Sequence, residues 1–223
     1  MSEAEMPSSA RKLKREPDTC HCATPAESPK DSTLRLGLFG GSFNPVHIGH
    51  LLVARAALEE LDLARVCFIP VARSPFKSSD TLASARDRLC MLRLALAGEP
   101  QFEIDEQEIR RGEPSYTIVT VCDYARRFPE AKLYYLIGSD ILDQLPRWRE
   151  AESLTRLTEF VVVLRPGDVA PRLPPQYRVR AIKGFPFAVS SSQVRERIKT
   201  GRRIDWLTPP VVAEYIKNNR LYL

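Results

Sequence analysis

From Leu34 onward, short apolar runs alternate with stretches whose apolar residues return at helical spacing. Residues 34–39 alternate apolar and small or charged side chains and read as a first strand. Residues 50–63, HLLVARAALEELDL, have helical periodicity. A second strand is expected over 66–69, and a helix over 83–97 with Leu89, Leu92 and Leu96 on one face. Residues 102–104 read as a short strand, 116–128 as a helix and 132–137 as a buried strand. Two short helices are expected over 140–145 and 151–157, then strands over 160–164 and 177–182. Helices over 191–200 and 210–218 close the chain. Strands separated by helices predict an α/β fold, a doubly wound parallel sheet with helices on both faces. Ligands in such a fold collect at the carboxyl ends of the strands. No internal repeat interrupts the pattern.

The connection at the end of the first strand carries the densest chemistry, GGSFNPVHIGH from Gly40 to His50. A glycine-containing turn between strand and helix presents backbone N–H groups and the positive end of a helix dipole to an anion. His47 and His50, three residues apart at a helix start, fall on one side of its first turn. Two imidazoles aimed at one phosphate point to chemistry on it as well as binding. Neither a GxxxxGK(S/T) loop nor a GxGxxG turn is present. The third histidine, His21, lies in the N-terminal tail, so a histidine-based metal site lacks a third ligand.

Composition narrows the class. The 223 residues are 43% hydrophobic and 27% charged, as in a soluble globular protein. No apolar run is long enough for a membrane span, and no apolar secretory stretch opens the chain, so a cytoplasmic location is expected. Five cysteines without framework spacing agree with a reducing compartment. Cys67 and Cys90, within apolar runs, are expected in the core. Cys20-His21-Cys22 lacks a second ligand pair and carries no metal expectation. Residues 1–33, rich in Ser, Pro, Ala, Lys and Glu, are expected to be a disordered extension or the product of an early start codon. Residues 34–223 form the folded domain. The net charge of +5 is exceeded by residues 165–203, which carry ten Lys/Arg against Asp168 and Glu196. That cluster suits a small polyanion at least as well as nucleic acid.

GSFNPVHIGH resembles the (H/T)xGH signature of the nucleotidyltransferase superfamily. Residues 189–195, VSSSQVR, resemble the ISSTxIR signature of its adenylyltransferase branch, with Val, Ser and Val replacing Ile, Thr and Ile. Physically this second motif is a serine run capping a helix, with Arg195 one turn in. From about Leu34 to Leu223 the chain is similar to the bacterial nicotinate-nucleotide adenylyltransferase family. The resemblance is carried by Ile69-Pro70, Ser74-Pro75-Phe76-Lys77, Arg86 with Met91-Leu92, Asp105-Glu106, Pro114-Ser115-Tyr116-Thr117, Ile137-Gly138-Ser139-Asp140, Leu145-Pro146-Arg147-Trp148, Arg165-Pro166-Gly167, Tyr215-Ile216 and Leu221-Tyr222. Phe76 stands where the family often has His.

The resemblance implies a Rossmann-like fold and transfer of AMP from ATP to nicotinate mononucleotide, with release of pyrophosphate. His47, His50 and Lys77 would act at the reacting phosphates. Gly40, Gly41, Ser42, Phe43, Gly138, Asp140, Ser190, Ser191 and Arg195 would join the histidines in holding ATP. Tyr116 and Thr117, at a helix start, would receive the nicotinate carboxylate, and Trp148 would stack on the pyridine ring. The polar neighbours of Trp148 favour an exposed platform, whereas Asp140 would either cap its short helix or approach the ATP ribose. Magnesium is expected to arrive with ATP, and neither nucleic acid nor membrane is expected as a partner. The alternatives are the amidated substrate, nicotinamide mononucleotide, and a non-catalytic nucleotide- or nucleic-acid-binding protein of the same fold.

Overall fold

A computed structural model describes residues 33–73, 82–112, 114–163, 176–185 and 187–223. The expected disordered extension with Cys20-His21-Cys22, the SPFK element with Lys77, and Arg165-Pro166-Gly167 lie outside these residues. The strands are β1 Arg35–Gly41, β2 Arg65–Pro70, β3 Phe102–Ile104, β4 Lys132–Gly138, β5 Glu159–Val163 and β6 Val179–Ile182. The helices are α1 Ile48–Glu60, α2 Ala85–Leu96, α3 Gln107–Arg111, α4 Thr117–Arg127, α5 Ala151–Leu157, α6 Ser191–Lys199 and α7 Pro210–Asn218. A 3-10 helix, Ser139–Arg147, follows β4.

The six strands form one parallel sheet in the order β3-β2-β1-β4-β5-β6. The chain leaves β1 toward β2 on one side and later returns to β4 on the other. The carboxyl end of β1 is therefore the topological switch point, where loops diverge and leave a crevice.

Alternation along the central strands divides the core. Leu36 and Leu38 of β1, with Leu133, Tyr135 and Ile137 of β4, pack beneath α4, α5 and the 3-10 helix. Phe39, Tyr134 and Leu136 face the opposite layer, with Ala54, Ala57 and Leu58 of α1, Met91 and Leu92 of α2, Val194 of α6, and Val212 and Ile216 of α7. The expected buried face of α2 is present in Leu89, Leu92 and Leu96. Cys67 is buried as expected, but Cys90 is only half-buried.

Two departures from the sequence reading bear on the site. Gly40 and Gly41 are the last residues of β1, in register with Ile69 and Pro70 of β2, so the turn begins at Ser42. Neither glycine has positive φ; Gly40 is small because a Cβ there would lie 2.0 Å from Tyr135 Oη. Its role is space rather than backbone freedom. The second departure is α3, one turn of helix without enough periodicity to announce itself. It is tied to the next helix by Thr120, whose hydroxyl donates to Glu108 Oε1 at 2.6 Å and accepts from Arg111 at 3.1 Å.

Asp105, just past β3, anchors the start of α3. Its carboxylate accepts hydrogen bonds from Tyr124 Oη at 2.7 Å, the Gln107 amide nitrogen at 2.9 Å and the Gln107 side chain at 2.7 Å. Burial works to raise its pKa; these bonds, with Arg127, outweigh burial and hold it below the ordinary carboxylate value. The folded-state pKa thus lies under the unfolded value of about 3.9. The associated stability is complete above that value and lost as pH falls through the folded pKa. Asp105→Asn should cost about 1–3 kcal/mol at neutral pH, and the gap from wild type should narrow below about pH 4. Denaturant unfolding across pH 7 to 3 checks this; a gap independent of pH would assign the loss to packing.

Candidate active site at the switch point

The segment between β1 and α1 is held from within. Phe43 adopts φ 47°, an uncommon left-handed conformation for a bulky residue. Its ring is buried edge-on or tilted against Phe39 at 5.5 Å, His50 at 5.0 Å and Phe68 at 5.6 Å. The packing of this ring fixes the turn. His47 is the N-cap of α1, and its amide nitrogen donates to His50 Nδ1 at 3.2 Å. The two imidazoles lie 3.7 Å apart, ring centre to ring centre, as the spacing predicts. Because Nδ1 of His50 accepts this bond, the neutral ring carries its proton on Nε2. A Cβ on Gly49 would come within 3.0 Å of the His47 ring, which accounts for the glycine between the histidines.

The second signature docks on the first. Ser190 caps α6 in a reciprocal box with Gln193. Ser191 Oγ donates to the Pro45 carbonyl at 2.9 Å, and Arg195 Nη1 donates to the Asn44 carbonyl at 2.8 Å. Residues 146 and 151 positions apart in sequence thus build one wall. Asn44 is the buried pin of that wall: its Oδ1 accepts from the Ala83 amide at 2.9 Å and from Tyr222 Oη at 2.7 Å. The carboxyl-terminal Leu221-Tyr222 element therefore reaches the site through one phenol.

The other half of the site surrounds α4. Tyr116 is its N-cap and Thr117 its first residue; no side chain caps this end, and its first turn has no acidic residue. The N-terminus of α2, by contrast, is capped by Ser84 with Asp87 in the first turn. Ser115 Oγ accepts from the Ala72 amide, and the Ser115 amide donates to the Arg73 carbonyl, fastening the PSYT element to the end of β2. Trp148 is half-buried, which corrects the expectation of an exposed platform. Its ring stands edge-on to Tyr135 at 6.0 Å and Phe160 at 6.1 Å, because the 3-10 helix lays it against the end of the core. Arg149 lies over the Tyr116 ring at 4.8 Å. Gly138 ends β4, and Asp140 falls in the first turn of the 3-10 helix, its side chain outside the described residues. Lys77 also lies outside them.

Arg88 escaped the sequence reading, which favoured Arg86 from the same helix; Arg86 is exposed and Arg88 is 1% exposed. The Arg88 guanidinium donates to the carbonyls of Ser42 at 3.0 Å, Val71 at 2.8 Å, Ala72 at 3.3 Å and Ala83 at 3.2 Å. Burial lowers its pKa from the ordinary arginine value, with Tyr222 opposing. The available signal was its position beside Leu89 and one turn before Leu92: a charge within the apolar stripe. Among the described residues, no group of three or more His, Cys, Asp or Glu could hold a metal, and no helix is long and apolar enough to cross a membrane.

A family model described as cytidylyltransferase-like matches residues 38–197. A probable nicotinate-nucleotide adenylyltransferase of Methylacidiphilum infernorum is 38% identical over 198 residues, covering 87% of this chain and 95% of that protein. Its counterpart in Geobacillus kaustophilus is 39% identical over 188 residues, covering 84% and 86%. Among solved structures, the Plasmodium falciparum nicotinic acid mononucleotide adenylyltransferase complexed with NaAD superposes with a TM-score of 0.70 at 19% identity, covering 85% of this chain and 97% of that one. That likeness shows the shared fold. This chain belongs to the cytidylyltransferase-like family and, within it, to the nicotinate-nucleotide adenylyltransferases.

Proposed function

We propose that this chain transfers the adenylyl group of ATP to nicotinate mononucleotide, forming nicotinate adenine dinucleotide and pyrophosphate. The observation that carries the reading is the junction of the two signatures at the switch point, His47 and His50 on one side and Ser191 and Arg195 on the other. The relatives that cover most of the chain are named for the same activity.

An oxygen of the mononucleotide 5′-phosphate attacks the α-phosphorus of ATP in line. The bond from that phosphorus to the bridging oxygen breaks, and pyrophosphate leaves with the electron pair. The attacking phosphate is already anionic at neutral pH, so no general base is needed. The protein's contribution is positioning and stabilisation of charge developing on the phosphates. His50, with its proton on Nε2, is a donor for the transferred phosphate, and His47 stands beside it. The N-termini of α1 and α6 have no acidic residue in their first turns, leaving both favourable to phosphate. Arg195 adds a fixed fork of donors, and Lys77 would reach the same phosphates. Magnesium would enter bound to ATP, neutralising triphosphate charge with the phosphate oxygens among its ligands. The open N-terminus of α4, with Thr117, takes the nicotinate carboxylate, and the accessible part of Trp148 meets the pyridine ring.

His50→Ala should lower kcat by about 10²–10³ while changing the KM for ATP little, as removal of a transition-state donor does. Steady-state kinetics with varied ATP measure it, and near-normal kcat would remove His50 from the chemistry. The second substrate is tested by comparing kcat/KM for nicotinate and nicotinamide mononucleotides. The acid should be preferred; preference for the amide would contradict a carboxylate site at Thr117.

A further inference from the structure

Tyr135 lies against both Thr117 and Trp148 of the proposed mononucleotide half-site without belonging to either signature. It is buried in β4, with its ring held edge-on by Trp148 at 6.0 Å and Phe160 at 6.1 Å. Its hydroxyl abuts Gly40, whose missing Cβ leaves the space it occupies, and lies 3.4 Å from Thr117 Oγ1. A ring fixed on its flanks holds this hydroxyl at a constant place between the end of β1 and the start of α4. The arrangement is more than core packing requires, since a phenylalanine would fill the same apolar volume.

We propose that the Tyr135 hydroxyl is a specificity-determining group, which orients the Thr117 hydroxyl as a hydrogen-bond donor and so favours a carboxylate over a carboxamide on the pyridine ring. This rests on the function proposed above. Between a phenol and an aliphatic hydroxyl, the phenol is the more acidic partner and the poorer acceptor, so Tyr135 donates and Thr117 Oγ1 accepts. Burial, with the Glu108 carboxylate nearby, pushes the Tyr135 pKa up against the opposing bond to Thr117, so its proton stays in place. Thr117 then turns its own hydrogen toward the mouth of the site, beside the uncapped N-terminus of α4. The ring substituent then meets two kinds of donor, the Thr117 hydroxyl and the uncapped amides of the α4 N-terminus. A carboxylate, acceptor on both oxygens, satisfies them; a carboxamide brings an NH2 group that Thr117, held as a donor, does not accept. The 3.4 Å separation is long for O–H···O, as such contacts often are before a ligand draws them together.

Tyr135→Phe keeps the ring and removes only the donor. Thr117 can then rotate and accept from an amide. Wild type, Tyr135→Phe, Thr117→Val and the double variant are each assayed on both mononucleotides. Tyr135→Phe should lower the acid-to-amide ratio of kcat/KM about three- to tenfold, the worth of one net hydrogen bond. The loss should fall on KM for the acid substrate and leave KM for ATP unchanged. In the Thr117→Val background, Tyr135→Phe should produce no further change in the ratio. An unchanged ratio in the single variant overturns the proposal, and so does an equal fall in the Thr117→Val background. Wild type that forms no dinucleotide from the acid mononucleotide would instead overturn the proposed function itself.

Discussion

The mouth of this site depends on one buried cation. Taking a guanidinium out of water costs several kcal/mol unless its donors are met. In Arg88 they are met by the carbonyls of Ser42, Val71, Ala72 and Ala83. Each comes from a segment that has just left a regular element or is about to enter one. Arg88 therefore joins the turn after β1, the end of β2 and the entry to α2 at a single planar group. Through Ala72 the tie continues to Ser115 and the start of α4. Asn44 performs the complementary task on the other side, gathering Ala83, Tyr222 and Arg195.

With the loops fixed in this way, charge complementarity comes mostly from the backbone. In a parallel α/β sheet the helices run against the strands, so the N-termini of α1, α4 and α6 converge at the carboxyl edge. None of the three carries an acid in its first turn. The two ends proposed here for the triphosphate carry His47, His50 and Arg195, with Ser191 tying them together through Pro45, and the third carries Thr117. A reaction between two anionic phosphates needs that concentration of donors, because much of its barrier lies in bringing like charges together and holding them in line.

Element order and the parallel sheet were legible because short apolar runs alternate with longer helical segments, while α3 is too short to show a period. The pairing of His47 with His50 followed from helical spacing, and the docking of the serine helix on the first motif was implied by resemblance. Three features were hidden for physical reasons. Gly40 looked like a turn residue, yet it is a strand residue whose smallness is set by Tyr135, a partner 95 positions away. Arg88 was masked by its neighbour Arg86, since only packing reveals which guanidinium faces inward. Trp148 stands among polar neighbours in sequence, but a 3-10 helix rotates its edge onto Tyr135 and Phe160. In each case the determining contact is long-range, whereas sequence patterns report local geometry.

The central claim is attack at the α-phosphorus of ATP by the mononucleotide phosphate. Its most direct test uses ATP labelled at the α-phosphorus, incubated with the protein, magnesium and nicotinate mononucleotide, with the products separated. The account predicts all transferred label in the dinucleotide and unlabelled pyrophosphate, in equal molar amounts. Label recovered in pyrophosphate or inorganic phosphate, or no dinucleotide at all, would contradict it.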